Sequence, residues 1–237
     1  MTVLAIETAT AVCAAAIASG GKLRSEKKLD LPHVHSEKLI ALIEGALDDA
    51  RVEPQDVDGI AVSIGPGSFT GLRIGLSVAK GLASAWSKPI VAVPTLEALA
   101  YSALSLFRAT GGEFIVPMID ARRNDVYAAV YRVKNGIPEE RSPSQALPLE
   151  EFGDFIRDAD TVLVVGDGAV KCREFLTKSN SRQDSRVLFP ADGKSSCSAS
   201  TVAFIGEHML KDGRRADLES LEPLYVKEFH TLVQTQH

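Results

Sequence analysis

The chain has 237 residues, 45% of them apolar, enough to bury a sizeable core as one or two domains. Its formal net charge of −5 argues against a protein that grips nucleic acid by itself. The three cysteines, Cys13, Cys172 and Cys197, are odd in number and lack metal-ligand spacing, which fits a reducing compartment. Val12 to Ala18 is small and apolar like the core of a signal peptide. No Lys or Arg precedes it, however, and Glu7 interrupts it, so it is not read as one. No apolar run approaches the length of a membrane span, and a soluble, cytoplasmic chain with no membrane association is expected.

In chain order, Val3 to Glu7 reads as a strand and Val12 to Ser19 as a second, followed by the hairpin signal Gly20-Gly21. Lys22 to Asp30 is a polar third strand. A helix follows from Ser36 to Ala50, with Ser36 as its cap and Leu39 at the position where a capping box has Glu or Gln. Then come a buried strand at Gly59 to Ile64, a helix from Thr70 to Trp86, a strand at Ile90 to Val93, and a helix from Leu96 to about Phe107. The order is βββαβαβα.

The second half repeats it. Phe114 to Asp120 is a strand that ends in an acid, as the first ended in Glu7. Val126 to Arg132 and Ile137 to Arg141 flank the turn Asn135-Gly136. A helix at Leu149 to Asp158 and a strand at Thr161 to Val165 lead into Gly166-Asp-Gly168, where the first copy has Gly65-Pro-Gly67. A helix near Val170 to Lys178, a strand at Val187 to Phe189 and a helix from Thr201 to Leu210 complete the copy. Matching order, acids and glycine pairs predict a duplicated α/β unit, with subdomains at 1–108 and 109–237. Asn180 to Ser185 and Asp192 to Ser198 read as polar loops.

The most distinctive stretch is Ile64-Gly-Pro-Gly-Ser-Phe-Thr-Gly-Leu-Arg-Ile-Gly75, which opens the second helix. At about 100° per residue the apolar and small positions of that helix cover roughly 220°. These are Gly71, Leu72, Ile74, Gly75, Leu76, Val78, Ala79, Leu82, Ala83 and Trp86. A surface helix needs an apolar stripe of only a little over 100°. The helix must therefore be covered on a second side, by its own domain or by another protein. The helix from Ser36 has an arc of roughly 160° by the same geometry, carrying Leu39, Ile40, Leu42, Ile43, Ala46, Leu47 and Ala50.

A duplicated βββαβαβα unit resembles the actin-like, ribonuclease H-like superfamily of actin, hexokinase and Hsp70. The segments Leu4-Ala-Ile-Glu-Thr-Ala-Thr10, Gly65-Pro-Gly-Ser-Phe-Thr-Gly-Leu-Arg73, Pro94-Thr-Leu-Glu97, Ile119-Asp-Ala-Arg-Arg-Asn-Asp-Val-Tyr127 and Glu222-Pro-Leu-Tyr-Val-Lys227 are similar to those of the bacterial TsaB family, also called YeaZ. They span nearly the whole chain. The resemblance implies a non-catalytic paralogue that assists formation of threonylcarbamoyladenosine in tRNAs. Such a subunit pairs with the catalytic TsaD and, through that pair, with the ATPase TsaE. It meets tRNA only within the complex and forms homodimers when alone. The first and second helices would form the face shared with TsaD or a second copy. Within their apolar arcs, Leu39, Leu42, Ile43, Ala46, Gly71, Ile74, Gly75 and Val78 are the expected interface residues, with a partner face favoured over packing within the monomer alone.

The superfamily resemblance also implies that two acid-ended hairpins clamp nucleotide phosphates and their metal. An acid at a strand end holds Mg²⁺ or a water, and a tight turn offers N–H groups to phosphate. Here the hairpins read Glu7-Thr8-Ala9-Thr10 and Asp120-Ala121-Arg122-Arg123. Neither has the glycine that lets backbone approach phosphate. Glu7, Thr8, Thr10, Asp120 and Arg122 are therefore expected to form a vestigial nucleotide site, with no cofactor and no metal. Gly65-Pro-Gly67 lacks the Lys-Ser/Thr of a P-loop and is favoured as a sharp turn over a phosphate cradle. Arg122 and Arg123 are the best basic pair near a candidate crevice, equally readable as solvated.

In His33-Val-His35 the two imidazoles alternate, where a helical His-x-x-x-His pair would share one metal. A partly exposed, non-ligating pair is expected. Cys13 reads as core. The reading is a non-catalytic scaffold subunit. The alternatives are an ATP-dependent small-molecule kinase using Glu7 and Asp120 around Mg-ATP, and more weakly a metallopeptidase using His33 and His35.

Overall fold

The computed structural model describes residues 1–31, 34–110, 113–157, 159–178, 186–190 and 196–226. His33, Asp158, Lys227 and the loop residues 180–185 and 192–195 singled out above lie outside the described residues.

Two five-stranded mixed sheets form the frame. The first comprises β1 (Thr2–Glu7), β2 (Val12–Ser19), β3 (Lys22–Asp30), β4 (Gly59–Gly65) and β5 (Ile90–Pro94), ordered β3-β2-β1-β4-β5. The second comprises β6 (Phe114–Asp120), β7 (Asp125–Lys134), β8 (Ile137–Pro148), β9 (Val162–Val165) and β10 (Val187–Leu188), ordered β8-β7-β6-β9-β10. In both, the first three strands are antiparallel and the last two run parallel to the first. The fold is a duplicated ribonuclease H-like, actin-like α/β unit.

The central strands are apolar throughout because both faces of each sheet are covered. Leu4 and Ile6 of β1, with Cys13, Ala15 and Ile17 of β2, pack beneath α1 (His35–Ala50) and α2 (Phe69–Trp86). The alternate residues Val3, Ala5 and Ala18 face α7 (Ala199–Lys211), a helix of the second half. Small side chains on this face let α7 come close. A methyl at Gly206 would sit 2.3 Å from Ala61 Cβ. The Glu26 carboxylate of β3 accepts the Ser200 N–H (3.0 Å) at the start of α7, and Glu207 near its end accepts the Gly21 N–H (2.8 Å). A carboxylate at a helix N-terminus also complements the helix dipole.

The exchange is reciprocal. Leu96, Leu99 and Ala100 of α3 (Thr95–Ser102), a first-half helix, pack on Ile115, Ile119, Ala129 and Leu163 of the second sheet. The other face of that sheet buries α5 (Phe152–Phe155) and α6 (Asp167–Lys178). The two sheets thus follow one another along the chain, the first ending at Pro94 and the second starting at Phe114, but each takes one covering helix from the other half.

Some elements differ from expectation. The expected cap Ser36 lies inside α1, which starts at His35 after Val34 and has no side-chain cap. Ser68 caps α2 instead of leaving Thr70 as its start, its hydroxyl accepting the Gly71 N–H at 3.2 Å. The helix expected from Leu96 divides into α3 and α4 (Leu104–Thr110). The helix expected from Leu149 is a 3-10 turn, Leu149–Glu151, followed by the single turn α5. β8 runs on past Arg141 to Pro148.

Candidate functional site

β1 delivers Glu7 to the end of the first sheet beside Ser63 of β4, since Ile6 pairs with Val62. The carboxyl points inward and is fully buried. Its Oε1 accepts the Ala9 N–H at 2.6 Å. Its Oε2, the Ser63 hydroxyl and the Thr8 hydroxyl are buried with no hydrogen-bond partner among the described residues. Burial pushes the Glu7 pKa up to about 7, opposed by the Ala9 N–H, the nearby Ser63 hydroxyl and the charge of Lys28.

The N-terminal end of α2 fills the turn that follows Glu7. A methyl at Gly67 would lie 2.2 Å from Ala9 O, at Gly71 2.2 Å from Thr8 O, and at Gly75 2.1 Å from Thr8 Oγ1. Only glycine permits contacts this close. Ser68 N–H donates to Ala9 O at 2.6 Å, and Gly71 N–H bonds the Ser68 hydroxyl. N–H groups that would otherwise meet an anion at a helix start thus meet carbonyls and a side chain of this chain. His35 completes the seat. Its Nε2 lies 3.1 Å from both Thr10 O and Val12 O, so that nitrogen carries a proton and donates to them. His35 is buried rather than partly exposed, and its Nε2 is turned to carbonyls, which removes that nitrogen from the metallopeptidase reading.

The β6–β7 turn carries the second acid. Asp120 Oδ1 accepts the Arg122 N–H (2.8 Å) and a charge-assisted bond from Lys171 Nζ (2.6 Å), with the Asp120 side chain half exposed. Asp120 N–H donates to Asp167 Oδ1 at 3.0 Å. Desolvation raises the Asp167 pKa, opposed by N–H donors from Asp120 and Gly168. Arg122 (φ 67°) and Arg123 (φ 49°) both take the left-handed conformation, so the turn makes with arginines the bend that glycine makes cheaply. Both arginines are exposed. Among the described residues no His, Cys, Asp and Glu cluster has the arrangement to hold a metal ion. Among the described residues no helix is long and apolar enough to cross a membrane.

Residues 31–145 match the model of the TsaD family, tRNA N6-adenosine threonylcarbamoyltransferase. The chain is 31% identical to the tRNA threonylcarbamoyladenosine biosynthesis protein TsaB of Bacillus subtilis, over 96% of this chain and 94% of that protein. The chain belongs to the TsaB family. YeaZ from Pseudomonas aeruginosa superposes with a TM-score of 0.76 at 28% identity, over 94% of this chain and 99% of that one. A ROK hexokinase from Thermus thermophilus shares the fold alone, with a TM-score of 0.54 at 15% identity over 90% of this chain and 100% of that one.

In this TsaB family member the expected interface residues divide. Leu39, Ile43 and Ala46 are buried in the core under α1, and Gly71 and Gly75 are buried against the β1–β2 turn. In the monomer these five are covered by the chain itself. Leu42, Ile74 and Val78 stay half-buried at the edge of that core. The surplus arc of α2 is covered largely by its own chain, with Leu218 and Leu221 packing on the same core. Of the expected nucleotide residues, Glu7 and Thr8 are interior, whereas Asp120 and Arg122 lie in an open turn. Sequence reading missed Ser63 and Lys171. Lys171 stands four residues after Asp167, within Gly166-Asp-Gly168 and its helix, and that spacing is the one signal that pointed to it.

Proposed function

We propose that the chain is a non-catalytic subunit of tRNA threonylcarbamoyladenosine biosynthesis, which binds and stabilises TsaD and through that pair supports the ATPase TsaE. The observation that carries the reading is the filled β1–β2 turn. Where a kinase of this fold would hold phosphate, Gly67, Gly71 and Gly75 press the start of α2 onto Thr8 and Ala9, and Glu7 faces the interior. A buried acid turned inward has no open face to offer a metal-bound nucleotide.

The partner face in this reading is narrower than the sequence suggested. It keeps Leu42, Ile74 and Val78, adds the exposed Ile40 (48% exposed), and loses the buried residues of both helices. Sedimentation of the chain alone and mixed with TsaD, comparing the parent with Ile74→Glu, tests it. Loss of an apolar contact together with a charge placed in a dry interface weakens association by roughly tenfold or more. Circular dichroism checks that the variant is folded. A folded Ile74→Glu that associates as tightly as the parent removes this helix from the interface, and threonylcarbamoyl transfer by the chain without TsaD removes the non-catalytic reading.

A further inference from the structure

After α7 the chain returns to the first half and runs back along α2. Ala216 N–H donates to Ile90 O at 2.9 Å in an isolated antiparallel bridge. Lys80 Nζ reaches Glu219 O and Leu221 O, each at 3.3 Å. Leu224 N–H donates to Ile64 O at 2.7 Å, and a methyl at Gly65 would lie 2.8 Å from Leu224 O. Arg73 Nε then donates to the Tyr225 hydroxyl at 2.9 Å. The Arg73 guanidinium lies 3.8 Å over the Phe69 ring, whose centroid is 5.4 Å from that of Tyr225. Phe69, Arg73 and Lys80 share one flank of α2 by their four- and seven-residue spacings. Ile74 and Val78 lie on the other flank, half-buried.

Two features set residues 216–226 apart. None is fully buried, and the segment contains no helix or strand. A segment held by scattered, solvent-facing bonds opens at lower free energy than the strands beneath it. Yet its far end grips Ile64 and Gly65, the turn that delivers α2 to the β1–β2 turn. Near that turn, buried Glu7, Ser63 and Thr8 have polar atoms without hydrogen-bond partners among the described residues.

We propose that residues 216–226 form a releasable strap that latches the β4–α2 turn and so holds the start of α2 in the β1–β2 turn. Closed, the strap keeps Ser68 on Ala9 and the turn filled. Open, it frees Ile64 and Gly65, and the seat of α2 loosens with it. The Arg73–Tyr225 clasp sets the balance between the two states. The device works in the isolated chain, so it stands whether or not TsaD is the partner.

Hydrogen exchange resolved by residue on the full chain tests the strap, comparing the parent with Tyr225→Ala and Tyr225→Phe. Tyr225 is 40% exposed, so both variants keep the core intact. In the parent, the Leu224 amide exchanges faster than those of Leu4 and Ile6. Loss of the clasp in Tyr225→Ala speeds Leu224 about tenfold, and Ser68, whose N–H rests on Ala9 O, by the same factor. Tyr225→Phe keeps the ring and loses the hydroxyl, and falls between the two. Leu4 and Ile6 are unchanged throughout. Leu224 protected as strongly as Leu4 and Ile6 overturns the strap. A faster Leu224 with an unchanged Ser68 overturns the latch.

Discussion

The two copies of the unit each end their first strand in an acid, and the two acids meet opposite surroundings. Glu7 is buried, raised in pKa and sealed under the glycines of α2. Asp120 is half exposed and paired with Lys171 in a turn that two arginines carry through left-handed backbone. Topology does not account for the difference, because both sheets have the same strand order. What differs is the helix after the fourth strand. In the first half it brings Gly67, Gly71 and Gly75 into contact with the turn. In the second half Gly166 and Gly168 pack against Met118 and Ile119 within the strand instead. Duplication preserved the frame, and small residues decided which turn was filled.

That comparison can be broken at the first turn. Gly71→Val drives a side chain into Thr8 O, a backbone atom that cannot rotate away, and should destabilise by about 3 kcal/mol or more. Chemical denaturation measures it, and a variant as stable as the parent contradicts the tight seat. Gly75→Ala meets a rotatable hydroxyl instead and should cost about 1–2 kcal/mol.

Next in size after Gly71→Val is the titration of Glu7. Burial holds its pKa at about 7 in the folded chain against an ordinary glutamate value of 4.5, so folding favours the protonated acid. The contribution of Glu7 to stability is therefore intact below about 4.5, falls as pH rises towards about 7, and levels off above, a loss of up to about 3 kcal/mol. Glu7→Gln removes that loss, so the variant should be more stable than the parent at pH 8, with the gap closing by pH 4.5. A constant gap across that range shows that Glu7 is not sealed.

The second turn should respond far less. Asp120→Ala removes a half-exposed ion pair and should cost within about 1 kcal/mol. Arg122→Gly relieves a left-handed residue and should stabilise by about 0.5–1 kcal/mol, read as a small rise in melting temperature. A large loss from either variant makes the two turns alike and ends the contrast.

The sequence carried the element order of both halves because β-branched and alanine runs, glycine turns and helix periods agree locally. It did not carry the exchange of α3 and α7 between sheets, since an apolar helix face does not name the sheet that it covers. Leu149, Phe152 and Ile156 have helical spacing and are buried, but Gly153 interrupts them and a 3-10 turn places Leu149 and Phe152 on one side. The burial of part of the expected partner face has a similar cause. Gly71 admits a second backbone, as a small residue should, and Gly75 admits the Thr8 side chain, so the close neighbour of both is the β1–β2 turn. Arc arithmetic registers surplus apolar surface and cannot tell a turn and a returning C-terminal segment from a second protein. Lys171 escaped notice because it carries no motif of its own and meets Asp120 only through the fold.

The central claim is that the nucleotide position of this fold is closed in this chain. Isothermal titration of the full chain with Mg-ATP tests it most directly. The account predicts no saturable heat. Saturable binding that is lost in Glu7→Ala or in Asp120→Ala contradicts it.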